Sequence, residues 1–269
     1  GQISDPIFHP QEGELRFKAL YRQIKDYHDW FMAKRTKAPD HDLVKSLHPW
    51  ESGMDNSPSW DSLIKTVPAE NLAQFRRKDL KGDNDDERPH DTDYTAYMSL
   101  VYHYKRIGYD APDLLPQAHF RVFDLVLNSA LLRSARDMAV LAANLGLDDG
   151  TYWQGQIDTL SAGIAKLWSA EDGAFLHMNA RTGELLAPVT NASFLPLYAG
   201  FSEITPATLG SAPMLETVIS FSPPNITTVP TSYSSSDSYI SAKSAYCADV
   251  AFACTVLYFF KVVPMSYVV

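Results

Sequence analysis

Cysteine is nearly missing from this 269-residue chain: there are two, Cys247 and Cys254, close together near its end. They are not spaced as CxxC, and no histidine cluster surrounds them. A disulfide framework or a zinc site is therefore not expected, and the pair reads as buried thiols. Positive charge is also in deficit. Lys and Arg number 23 against 32 Asp and Glu, for a net charge of -9 and a pI near 5.3. A phosphate backbone demands the opposite balance, so no nucleic-acid partner is expected. The chain has no Gly-rich nucleotide loop, no GxSxG, HExxH or EF-hand pattern, no candidate metal cluster and no repeat of fixed period. Neither a metal nor another cofactor is expected. No charged-then-apolar leader opens the sequence, which starts at Gly1, and the expected compartment is the cytoplasm. Long apolar runs are scarce as well. The charge-free stretch Val250–Phe260 is roughly half of the ~20 residues a bilayer requires, so a membrane anchor is not expected.

What is present is ordinary for a globular chain with one sizeable core: 45% hydrophobic and 20% charged residues. Aromatic residues make up 12%, much of it Tyr and Trp. They suit a carbohydrate cleft and a large helical core equally well. One stretch fits neither a core helix nor a plain surface loop. From His48 to Asp61 the chain reads HPWESGMDNSPSWD, with Trp50 and Trp60, three carboxylates, Asn56 and a glycine at position 53. Helix formers are sparse, Gly53 and Pro58 punctuate it, and the polar groups follow no 3.6-residue period. A pocket for a polar ligand with an apolar face, such as a sugar ring, needs this mixture. Carboxylates supply acid–base chemistry and an indole stacks on the ring.

Each residue of the stretch also has a structural reading. Asp55 is a candidate general acid, or an Asx-turn residue in the turn-forming DNSP. Glu51 is a candidate substrate ligand, although accepting loop N–H groups suits it better. Asn56 can bind sugar hydroxyls or form the turn. Trp50 can stack on a sugar, whereas Trp60 suits packing. Downstream, Arg88 can bind an acidic aglycone in bidentate fashion or pair with the aspartates around it. Tyr94, in the first turn of the next helix, completes the candidate set.

The same stretch resembles the ESGxDxS signature of the (α/α)6-barrel glycosidases of glycoside hydrolase family 63, in the branch of mannosylglycerate and glucosylglycerate hydrolases. Trehalases resemble it more distantly. Three further segments carry the likeness: Glu87-Arg88-Pro89 leading to Asp93-Tyr94, the run from Glu171-Asp172-Gly173 to Arg181-Thr182-Gly183-Glu184, and Phe194-Leu-Pro-Leu-Tyr-Ala-Gly200. The resemblance implies an inverting α-glycosidase with a small carbohydrate substrate, Asp55 as its general acid, and Arg88 and Tyr94 near the pocket. It covers roughly residues 15–232. It departs at Ser59, where the family usually has Arg. It also lacks the downstream Gly-Pro-Val-Trp element and the glutamate base beyond it. Glu203 and Glu216 stand in other contexts. Catalysis by this chain, a trehalase-like activity and a sugar-binding remnant without catalysis all remain open.

Periodicity predicts helices over Glu14–Lys34, from a cap at Asp91 or Thr92 to Gly108, over Phe120–Leu145, from a cap at Thr151 to about Ser169, and over Pro206–Ser220. Another helix is expected within residues 69–80. A small β-hairpin is expected within residues 171–189. The expected fold is all-α: an incomplete (α/α)6 toroid with a hairpin insertion. The expected division is 1–232 as a partial catalytic domain and 233–269 as an apolar tail. Six or seven helices instead of twelve would leave apolar inner faces, covered by the tail or by self-association.

Overall fold

The computed structural model describes residues 10–36, 42–69, 89–109 and 114–201. The expected helices at 69–80 and 206–220, and the 233–269 tail, lie outside the described residues, apart from residue 69. Four long helices dominate. Helix α1 spans Pro10–Arg35, α3 Asp91–Ile107, α5 Leu125–Asn144 and α6 Gly150–Ala165. Three single-turn helices join them: α2 Asp61–Ile64, α4 Leu114–Gln117 and α7 Leu195–Tyr198. No helix among the described residues is long and apolar enough to cross a membrane.

Helices α5 and α6 form the expected antiparallel hairpin, but both start and end differently from the periodicity. Residues Phe120–Asp124 are not helical. Val122–Phe123 is a strand, β2, and Asp124 caps α5 by accepting the Val126 N–H at 2.8 Å. His177 Nδ1 accepts the Leu125 N–H at 3.1 Å, so two orphan donors of the helix start are satisfied by buried side chains. Helix α6 starts after Asp149, whose carboxylate accepts the Tyr21 hydroxyl and caps no helix N–H, and Thr151 lies inside the helix. It stops at Ala165 because Trp168–Ser169 leaves as β3 to pair with Ala174–Phe175, β4. The cap of α3 is His90, one residue ahead of the expected Asp91 or Thr92. Gly108, at φ +87, ends it as its position suggested.

The expected hairpin at 171–189 is two hairpins. The second pairs His177–Asn179, β5, with Leu185–Leu186, β6. It joins a four-stranded antiparallel sheet of order β1-β2-β5-β6, where β1 is Lys45–Ser46. The register sets Lys45 opposite Phe123, Ser46 opposite Val122, and Val122 opposite Asn179. Strands this short leave no alternation to read, and the register partners of β1 lie 76 and 78 residues further along the chain. Ser46 Oγ donates to Asp124 Oδ2 at 3.0 Å, and Asn128 exchanges hydrogen bonds with both backbone groups of Val44. These bonds tie the segment just before His48 to the first turn of α5.

Two buried histidines make stability depend on pH. His48 and His28 are 0% and 1% exposed, and burial pushes each from an ordinary 6.5 down to about 4. His48 Nδ1 accepts the Trp50 N–H at 3.1 Å, so the ring is neutral with its proton on Nε2, which faces the Tyr97 carbonyl at 3.0 Å. Between pH 6.5 and 4 the unfolded chain binds protons that the folded chain refuses. Their stabilising contribution is complete above pH 6.5 and lost as the pH falls through that window, on the order of 3 kcal/mol each. Urea unfolding at pH 7, 5.5 and 4 is expected to show a falling midpoint; a constant midpoint contradicts the burial of both rings.

Candidate active site

The stretch from His48 to Asp61 folds as two tight 3-10 turns, Pro49–Ser52 and Pro58–Trp60, with a four-residue turn between them. Its polar side chains build the loop. Gly53 takes φ +69, which a side chain would resist. Ser52 Oγ donates to the Pro49 carbonyl at 2.7 Å and accepts the Met54 N–H at 2.9 Å. Ser57 Oγ accepts the Ser59 N–H, and the Ser57 N–H closes the middle turn on the Met54 carbonyl at 3.0 Å.

Asp55 sits half-buried at the apex of that turn. Among the described residues, no hydrogen bond or ion pair engages its carboxylate; the turn is closed by serines and backbone instead. Its neighbourhood is held from outside. Trp60 Nε1 donates to the Met54 carbonyl at 2.8 Å, and the Tyr97 hydroxyl donates to the Asp55 carbonyl at 2.7 Å. Trp60 is 1% exposed, edge-on to Phe120 and His177.

Trp50 is half-buried in an aromatic group. Its ring centroid lies 4.5 Å from His48, 6.0 Å from Tyr94 and 6.1 Å from Tyr97. Trp50, Tyr94 and the Asp55 turn thus converge on one residue, Tyr97. Asp93, Asp55 and Asp61 surround it electrostatically, and burial together with those charges holds its hydroxyl protonated far above the ordinary tyrosine range. Asn56 is exposed beside Asp55. Arg88 lies outside the described residues.

Glu51 is committed to holding the loop. Its carboxylate accepts the Leu47 N–H at 2.7 Å and takes both terminal nitrogens of Arg35, at 3.0 and 3.4 Å. Arg35 closes α1, so this pair fastens the loop to the first helix. Removing the acceptor strands a partly buried guanidinium and a backbone N–H. Glu51→Ala is expected to cost roughly 2–4 kcal/mol in urea unfolding; a loss below ~0.5 kcal/mol contradicts this role.

Arg35, His48 and Tyr97 are site-forming residues that sequence reasoning passed over. His48 was visible only as a letter of the motif. Arg35 and Tyr97 stand 16 and 42 residues from the loop partners they bind, and no local pattern signals either.

A family model, the mannosylglycerate hydrolase MGH1-like glycoside hydrolase domain, matches residues 7–239. The chain belongs to this family. A mannosylglycerate hydrolase of Thermus thermophilus is 39% identical over 185 residues, covering 69% of this chain and 44% of that protein. A glucosylglycerate hydrolase of Mycolicibacterium hassiacum is 27% identical over 180 residues, covering 65% and 40%. Among solved structures, the GH63 mannosylglycerate hydrolase of Thermus thermophilus in complex with Tris and D-glycerate superposes with a TM-score of 0.69. The two are 37% identical, over 74% of this chain and 48% of that one. The fold is thus that of the family 63 (α/α)6-barrel glycosidases, of which this chain carries a part. The chain spans about half the length of the relatives it matches.

Proposed function

We propose that this MGH1-like chain contributes the acid side of an inverting α-glycosidase site for a small glycoside of glycerate, α-mannosylglycerate or α-glucosylglycerate. One observation carries the reading. The Asp55 carboxylate takes no part in building its own turn, yet the turn is held rigidly beside the aromatic group of Trp50, Tyr94 and Tyr97. The named activities of the relatives support the substrate class, as does the D-glycerate held by one of them.

In this reading Asp55 donates its proton to the glycosidic oxygen as the bond to the anomeric carbon breaks. Water adds from the opposite face and gives its proton to a base about 6.5–9.5 Å across the site. No carboxylate of the described residues is assigned to that base. Trp50 and Tyr94 supply the apolar wall, and the Asn56 amide binds hydroxyl groups. Arg88 pairs with the glycerate carboxylate. Glu51 supports the loop and does not touch the substrate.

The test is glycerate release from α-mannosylglycerate and α-glucosylglycerate, with trehalose as the comparison. Turnover of a glyceryl glycoside above trehalose is expected. Faster hydrolysis of trehalose contradicts the substrate class. Binding of the glycosides without release contradicts catalysis by this chain and leaves a sugar-binding remnant.

A further inference from the structure

The direction of a Cα–Cβ bond is set by the two peptide planes that flank its Cα, because each plane is rigid and only φ and ψ turn between them; the χ rotamers then place the side chain from that bond. At Asp55 both planes are held. The plane before it carries the Met54 carbonyl, which accepts from Trp60 Nε1 at 2.8 Å. The plane after it carries the Asp55 carbonyl, which accepts from the Tyr97 hydroxyl at 2.7 Å. Tyr97 is itself fixed: 3% exposed on α3, with its own carbonyl facing His48 Nε2 at 3.0 Å. His48 in turn accepts the Trp50 N–H, so α3 holds the loop at its start and at the Asp55 turn through one residue.

The geometry points to Tyr97 as a positioning residue for the Asp55 carboxyl: its hydroxyl fixes the peptide plane that aims this group, without touching substrate. The inference rests on the reading of Asp55 as proton donor. Its surroundings keep the hydroxyl protonated, so the donor persists through the working pH range.

Tyr104 provides a matched control. It lies on the same helix, is 1% exposed, and donates its hydroxyl to the Leu47 carbonyl at 2.6 Å. That bond anchors the start of the same loop, away from the Asp55 turn. Tyr97→Phe and Tyr104→Phe each remove one buried hydroxyl donor and keep the ring; the Tyr104 hydroxyl also bonds the Phe120 backbone, so its cost in stability is expected to be at least as large.

Both variants, made in the full chain, are compared with wild type on α-mannosylglycerate. Tyr97→Phe is expected to lower kcat ~10-fold or more with KM within about twofold, since misaiming a catalytic group costs turnover before binding. Tyr104→Phe is expected to keep kcat within about twofold. Equal losses in the two variants, or a loss at Tyr97 confined to KM, overturn the inference. Amide hydrogen exchange at Asn56 and Ser57 reads the same anchoring without activity. It is expected to quicken in Tyr97→Phe and not in Tyr104→Phe; no difference between them overturns the inference. A wild-type chain that releases no glycerate overturns the hydrolase reading instead, and the exchange comparison still decides whether Tyr97 anchors the Asp55 turn.

Discussion

Asp55→Asn is expected to lower turnover of a glyceryl glycoside by ~10²–10⁴-fold, the range over which a positioned acid accelerates bond cleavage. Glycerate is a poor leaving group unless its oxygen is protonated, and an amide has no proton of the required acidity to give. Folding is expected to survive the change. The carboxylate makes no hydrogen bond or ion pair among the described residues, and the turn is closed by Ser52, Ser57 and backbone groups. The unfolding free energy is thus expected to move by no more than ~0.5 kcal/mol, as at sites away from special structural features. Because Asn keeps an Asx-turn acceptor, Asp55→Ala separates the two readings of DNSP: an Asx-turn residue would lose stability in it, whereas an acid loses turnover in both variants and stability in neither.

Trp60→Ala is expected to lose ~3–5 kcal/mol in stability, the cost of truncating a buried large aromatic. Trp60 is 1% exposed, and its centroid lies 5.7 Å from Phe120 and 4.5 Å from His177. It bridges the functional loop, the segment leading to β2, and β5. Truncation also releases the Met54 carbonyl on the near side of Asp55. Against a total stability of 5–15 kcal/mol, typical of such chains, a large part of the folded margin disappears. Trp60→Phe keeps most of the packing and loses the indole donor, so a smaller loss of about 1 kcal/mol is expected. Urea midpoints ordered wild type, Phe, Ala support this account. A Phe variant as unstable as the Ala variant would assign the indole N–H the dominant part.

The parts of the fold legible in the sequence were those with long apolar periods. Tyr21, Ile24, Tyr27 and Phe31 mark the packed side of α1, and Leu132, Ala135, Met138 and Ala142 that of α5. The boundaries were less legible because side chains distant in sequence set them. His177 helps to start α5 from 52 residues away, and β3 ends α6 by pairing forward with β4. Of the four-stranded sheet only the β5–β6 hairpin was legible, from its turn residues: β1 and β2 are two residues long and carry no alternation, and Lys45 reads as a surface residue although it is 3% exposed. In the candidate site, the motif named the loop and the structure shows what holds it. Glu51 accepts a loop N–H, as its place in the motif suggested, and it also pairs with Arg35 from α1, a partner that spacing alone does not signal.

Whether Asp55 serves as proton donor is decided by changing how much proton donation the leaving group needs. Fluoride departs from an α-glycosyl fluoride with little help from an acid, whereas glycerate departs only when protonated. Asp55→Asn is expected to hydrolyse the fluoride at close to the wild-type rate while losing the glycerate glycoside. If both substrates lose rate in the same proportion, or neither does, Asp55 is not the acid.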